Sequence, residues 1–172
     1  MAALPAPPAP PAALSPRVRI RPLEPPDLDA VHAGLSDASR YSRYHGPKPR
    51  FGSAERAYLT TTDGQDHIAL VALGPHGEPL GIARSVRLRE DPGAAEIAAE
   101  VIDAWQRRGL GGALIDRLAR QAAARGIARF SANVLANNGL SRSLRKRGWR
   151  AVATDGLTVT LEIDVWTLAA AS

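Results

Sequence analysis

Cysteine is absent from the 172 residues, which excludes disulfides and any thiolate metal site. Histidine is scarce: His32, His45, His67 and His76 are scattered without a ligand spacing such as HxxxH, so no metal is expected. No apolar run approaches the ~20 residues needed to span a bilayer, so no membrane partner is expected either. Aromatics make up only 5% of the chain, and no helix-turn-helix, RRM or KH signature occurs. These two facts disfavour a nucleic-acid-binding module. The N-terminus lacks a basic region followed by a leucine-type core and does not read as a signal peptide. The default expectation is a cytoplasmic protein.

What is present is positive charge. The net charge of +5 and a pI near 10.4 attract anions, among them nucleic acid, acidic protein surfaces and polyphosphate cofactors. Much of the excess sits in "RVRIR" and "SRSLRKRGWR", and for either cluster alone a solvated basic face is the better account. Prolines in "MAALPAPPAPPAALSP", residues 1–16, predict a disordered or polyproline-like tail. Residues 17–168 suit one domain.

Within that domain, Arg17, Arg19 and Arg21 alternate with Val18 and Ile20 as a first strand. A helix is expected from Pro25–Pro26 and Asp27, with Leu28, Val31 and Leu35 as its apolar stripe. "ASRYSRYHGPKPRFGS" reads as a loop or short helix, and "SAERAYLTT" as a helix with Ser53 as N-cap. "HIALVAL" and "LGIARSVRL" form a hairpin, and residues 95–103 a further strand. A helix with Leu110, Leu114, Ile115, Leu118 and Ala122 at helical spacing follows, ended by Gly126. Then come the strand "IARFSANVLA" and the short helix "NNGLSRSLRKRG". A last strand follows the Asp155–Gly156 turn, with Leu157, Val159, Leu161, Ile163 and Val165 on one dry face. The order predicts a mixed α/β domain.

"QRRGLGGAL", residues 106–114, places three glycines within four positions between a strand and a helix. Helix N-terminal N–H groups lack internal partners and sit at the positive end of the dipole, so such a turn suits a phosphate. GxxxxGK[ST] and GxGxxG are both absent. What remains, Gln106-Arg107-Arg108-Gly109-Leu110-Gly111, resembles the Q-x-x-G-x-G pyrophosphate motif of the Gcn5-related N-acetyltransferases (GNAT superfamily). Residues 95–149, "AEIAAEVIDAWQRRGLGGALIDRLARQAAARGIARFSANVLANNGLSRSLRKRGW", resemble the family core throughout, with "RGW" where "GF" is usual. Upstream, "RIRPLEPPDLDAVHAGLSDASRYSRYHGPKPRF" is similar to the branch of bacterial protein-lysine acetyltransferase domains. These are often fused to an acyl-CoA-synthetase-like or cyclic-nucleotide-binding domain. Here the domain stands alone, so fused regulation is expected to be missing. The resemblance covers roughly residues 17–166. It implies a twisted, mostly antiparallel sheet of six to seven strands with one parallel splayed pair, flanked by about four helices.

The resemblance further implies acetyl-CoA as donor and an amine as acceptor. Backbone N–H groups from Gln106 through Gly112 (Arg107, Arg108, Gly109, Leu110 and Gly111 between them) would hold the pyrophosphate. Main-chain groups of Ala99 to Val101 would serve the pantetheine and acetyl carbonyl, and Asn137 and Asn138 the pantetheine arm, although a helix N-cap is an alternative for Asn137. An amine with a pKa near 10.4 must lose a proton before it attacks, and a carboxylate can take it. Glu96 and Glu100, four apart on a strand, share a face with Ala98, opposite Ile97, Ala99 and Val101. Two solvated acids would look the same. In the lysine-acetyltransferase branch the glutamate of "AE-[VFI]-A" is the base, which implies Glu96; Glu100 is the second candidate or a cation-binding group. Where many relatives carry a tyrosine general acid this chain has Leu144, and no acid is assigned. Arg40, Tyr41, Arg43, Tyr44 and His45 are expected at the acceptor entrance, with an aromatic packing edge as the alternative for the tyrosines. The basic entrance favours a peptide or protein acceptor, foremost a lysine side chain, or an anionic small molecule, over a small cationic amine. A small-molecule amine acceptor, a non-catalytic acyl-CoA-binding module and a basic nucleic-acid-binding module remain as rivals. Monomer and homodimer are equally compatible with the sequence.

Overall fold

The computed structural model describes residues 18–170; the expected Pro/Ala-rich tail, residues 1–16, lies outside them. The elements run β1 (Arg19–Pro22), α1 (Pro25–Ala33), α2 (Asp37–Tyr44), α3 (Ser53–Thr60), β2 (His67–Leu73), β3 (Pro79–Arg87) and β4 (Ala94–Val101). After a 3-10 turn at Asp103–Trp105 come α4 (Leu110–Ala123), β5 (Arg129–Leu135), α5 (Gly139–Lys146), β6 (Arg150–Asp155), β7 (Thr158–Asp164) and α6 (Val165–Ala169).

The seven strands form one sheet in the order β1-β2-β3-β4-β5-β7-β6. Every neighbouring pair is antiparallel except β4 and β5. The sheet is thus the expected mixed, mostly antiparallel one with a single parallel pair. Among the described residues there are six α-helices rather than about four. The excess comes from α2, ambiguous in sequence, and from the five-residue α6, whose N-cap Asp164 accepts from the Trp166 N–H at 2.8 Å.

Period-2 alternation builds two cores, one on each face of the sheet. Leu110, Leu114 and Leu118 of α4 pack with Phe130, Leu161 and Ile163 on one face. Leu28 and Val31 of α1 pack with Phe51, Val71 and Ile82 on the other. Burying a leucine of this kind contributes roughly 1.5–3 kcal/mol, so α4 and α1 are held to the sheet mainly by these stripes.

Three local expectations are corrected. Gly52, not Ser53, caps α3, and Ser53 is its first residue without a side-chain cap bond. The helix expected from Pro25–Pro26 does begin there, with Glu24 as its N-cap. Asp27, at the third helical position, accepts the Glu24 N–H at 2.8 Å and closes a reciprocal capping box. The strand expected at 95–103 ends at Val101, because Trp105 N–H turns back to the Ile102 carbonyl at 2.9 Å. Leu157 is 72% exposed in the β6–β7 turn and is not part of the dry face, which consists of Val159, Leu161 and Ile163.

The feature that makes a site is a mismatch of pairing lengths. β4 pairs with β3 as far as Val101, but with β5 only at Ala94↔Arg129, Ala95↔Phe130 and Glu96↔Ser131. Beyond Glu96 the parallel strands part. The Ala94 carbonyl accepts from Leu88 and the Ile102 N–H donates to Leu80, both on the β3 side. Main-chain groups alternate sides along an antiparallel strand. Those of Ile97, Ala99 and Val101 therefore face the opening.

Candidate active site

The loop leaving the opening has an unusual backbone. Arg107 has φ 59° and Gly109 φ 81°, two left-handed residues separated by one. A left-handed non-glycine residue is uncommon and marks a loop held by its surroundings. This geometry turns successive N–H groups to one side, as in anion-binding nests. Among the described residues, no backbone carbonyl accepts from Arg107, Arg108, Gly109, Leu110, Gly111 or Gly112. The N–H of Gln106 differs, bonding the Asp103 carbonyl at 3.3 Å. The Gln106 side chain is a brace: its Nε2 donates to the Val101 carbonyl at 2.9 Å and lies 3.2 Å from Ser39 Oγ of α2. Arg108 stacks over Trp105 at 5.0 Å, and Arg107 is exposed.

The glycines do different work. Gly109 supplies the left-handed turn. A methyl on Gly111 would meet only ordinary contact, 3.7 Å from Val101. A Cβ on Gly112 would lie 3.0 Å from Arg147 Nη1, so Gly112 makes room for that guanidinium, which bonds the buried Asp116 at 2.5 Å. The neighbour at Gly112 is thus a side chain from the end of α5. Burial, opposed by Arg147, raises the Asp116 carboxyl above its usual range.

The two glutamates do share one face of β4, yet their surroundings are opposite. Glu96 is exposed at the last paired position, where Asn133 Nδ2 of β5 approaches its Oε1 at 3.4 Å. Glu100 is only 6% exposed. Its Oε2 accepts from the Tyr44 hydroxyl at 2.8 Å and lies 3.6 Å from Arg43 Nε, while its Oε1 is buried without a partner. Burial, then the charge of Glu100, pushes the Tyr44 phenol well above its ordinary value, so it stays a donor.

Of the expected entrance residues, the fold brings Arg43 and Tyr44 to Glu100. Arg43 also lies over the Tyr44 ring at 4.7 Å. Arg40 turns back to the His32 carbonyl at 3.2 Å and to Asp37 at 3.3 Å. Tyr41 is half exposed, and His45 is the left-handed cap of α2. Tyr44 packs edge-on against Phe51 and His32, with centroids 5.7 and 5.9 Å away, so it has both an aromatic edge and a polar end. Sequence reasoning missed Arg84 of β3, buried beneath this cluster with Nη1 donating to the Leu59 carbonyl at 2.7 Å. Burial first, then the Arg43 charge, lowers its pKa. The available signal was an arginine in the middle of the otherwise apolar "LGIARSV".

Asn138 is the N-cap of α5, accepting from Leu140 N–H at 3.0 Å and donating to Ser42 of α2. Asn137 is thereby spared the capping role and stays exposed. Both asparagines line a cavity of 290 Å³ with Ser141, Arg142 and Arg145. Leu144 is buried in the main core, 4% exposed, and offers no proton. Among the described residues no helix is long and apolar enough to cross a membrane, and no group of three potential metal ligands occurs.

Comparison with known proteins gives this geometry its family. Residues 17–148 match the acetyltransferase (GNAT) domain. The acetyltransferase Pat of Mycolicibacterium smegmatis is 34% identical over 152 residues, 85% of this chain and 45% of that protein. The GNAT domain of S. lividans PAT superposes with a TM-score of 0.79 at 31% identity, covering 86% of this chain and 90% of that one. A cAMP-binding acyltransferase from Mycobacterium smegmatis superposes at 0.58 with 32% identity, over 85% of this chain and 43% of its own. This chain thus spans less than half the length of the Pat protein. With the splayed strands, the loop and the matches in agreement, the chain belongs to the GNAT acetyltransferase family.

Proposed function

We propose that this acetyltransferase uses acetyl-CoA to acetylate a protein lysine, with Glu96 as general base. The observation that carries the reading is the parting of β4 from β5 immediately beyond Glu96, opening toward a loop in which six backbone N–H groups have no backbone partner among the described residues. Those N–H groups, from Arg107 to Gly112, would hold the pyrophosphate, and the main chain of Ala99 with Asn137 the pantetheine. The Val101 carbonyl is engaged by Gln106. Acetyl-CoA supplies a thioester-activated acetyl group.

Glu96 takes the proton of the attacking amine as the new C–N bond forms and the C–S bond breaks, the electron pair leaving on sulfur. A thiol pKa near 8.5 makes that departure possible without a tyrosine at position 144. Exposure lets Glu96 meet an incoming side chain, whereas Glu100 is covered by Tyr44 and Arg43. Glu100 then forms the acceptor-side wall.

Calorimetry with acetyl-CoA, followed by thiol release on lysine peptides and on a panel of small amines, tests the reading. Saturable donor binding and peptide turnover are expected. No binding at millimolar donor sinks it. Turnover of small amines alone removes the lysine assignment, and binding without turnover on any amine indicates an acyl-CoA-binding module.

A further inference from the structure

The end of the parallel pairing carries a second polar residue that the reaction above does not use. Asn133 lies on β5 two residues beyond Ser131, the partner of Glu96, and so on the same face as Glu96. Its cross-strand partner in β7 is Thr160. Thr160 Oγ1 and Asn133 Oδ1 are 2.8 Å apart, and Asn133 Nδ2 is 3.4 Å from Glu96 Oε1. Three strands thus contribute one side chain each to a line that ends on the carboxylate.

The orientation of the amide follows from the groups at its two ends. An ionised carboxylate only accepts, so the amide must present NH2 to Glu96. Its oxygen then faces Thr160, whose hydroxyl has a proton to give. The reversed amide would set oxygen against carboxylate oxygen. Arg129, two residues before Ser131, is engaged elsewhere, with Asp91 at 2.5 Å and with Glu162 at 3.4 Å. Asn133 is exposed, so holding the sheet together does not require it.

We infer that Asn133, with its amide set by Thr160, is a positioning residue that holds Oε1 of Glu96 and turns Oε2 toward the opening between β4 and β5. The inference rests on the reading of Glu96 as the base. A fixed carboxylate is worth rate because a base contributes only when its oxygen lies within hydrogen-bond reach of the proton it takes.

Asn133→Ala, Asn133→Asp, Thr160→Val and Thr160→Ser are each measured for kcat, acceptor and donor KM, donor affinity by calorimetry, and melting temperature. Asn133→Ala is also placed in a Glu96→Gln background. Asn133→Ala lowers kcat roughly tenfold, as losing a hydrogen bond to a charged group does. Donor affinity and melting temperature stay at wild-type values. Thr160→Val loses a few-fold and Thr160→Ser, which keeps the hydroxyl, restores the rate. In Asn133→Asp the acid limb of the pH–rate profile moves to higher pH, because two adjacent carboxylates hold a proton between them. With Glu96 already removed, Asn133→Ala has no further effect. An equal loss in both backgrounds, or a loss confined to donor affinity or melting temperature, overturns the positioning role while leaving the base reading intact. Full activity of Glu96→Gln overturns the base reading, and the positioning role falls with it.

Discussion

Glu96 and Glu100 leave the same face of the same strand four residues apart, and the fold treats them in opposite ways. Glu96 stands at the mouth of the opening between β4 and β5, with one long contact to Asn133. Glu100 is buried against a phenol and the Arg43 side chain, one of its oxygens bonded and the other bare. The difference teaches that spacing along a strand assigns a face but not an environment. An exposed carboxylate can trade protons with an incoming amine. A buried one that accepts from a tyrosine works as structure first, since leaving such groups unpaired is expensive.

The sharpest way to break this comparison is to neutralise each carboxylate in turn. Glu96→Gln is expected to lower kcat by about 10²–10⁴-fold at neutral pH, the usual weight of a general base. Glu100→Gln, which can still pair with Tyr44, is expected to cost about tenfold or less. The reverse ranking in steady-state kinetics would exchange the two roles.

The glycine loop proposed to hold the donor should be indifferent to both carboxylates. Gly109→Ala forces a side chain into φ 81° and is expected to cost about 1–2 kcal/mol in denaturant unfolding, while raising the acetyl-CoA Kd. Its kcat at saturating donor should stay close to wild type. A collapse of kcat without a change in Kd would tie the loop to the chemistry.

Tyr44→Phe sharpens the buried half of the comparison. It removes a donor to Glu100 and is expected to cost about 1–3 kcal/mol. The pH dependence has a definite sign. The phenol is raised in the folded state, so its contribution is complete below the ordinary tyrosine value near 10 and is lost as pH rises above it. The alkaline fall in stability should therefore flatten in Tyr44→Phe.

The smallest expected effect is at His67, whose pKa is lowered by burial first and by Arg84 second. Its neutral form belongs to the folded state. Stability is complete above the ordinary histidine value near 6.5 and declines as pH falls below it. Thermal unfolding of His67→Gln between pH 7 and 5 should show a shallower acid slope than wild type.

Much of the fold could be read from local pattern. The hairpin, the long strand, α4 and β7 follow from periods of 2 and 3.6, which are local properties of the chain. The glycine loop was equally legible, because Gly109 marks a left-handed turn whatever surrounds it. Less was legible where a short polar segment takes its form from its neighbours. The segment 37–44 is a helix because Ser36 caps it and because Tyr44 and Arg43 find Glu100 across the sheet. Arg84 and Asn133 escaped notice because a polar residue in a strand declares its partner only once the strands are aligned.

The sequence by itself determined the family, the order of most elements and the loop suited to a pyrophosphate, since each rests on residues adjacent in the chain. Tertiary structure alone decided which glutamate is covered, where β4 and β5 part, and that Asn133 faces Glu96. The physical reason is distance along the chain: Tyr44 meets Glu100 across 56 residues and Asn133 meets Glu96 across 37, and only packing brings them together.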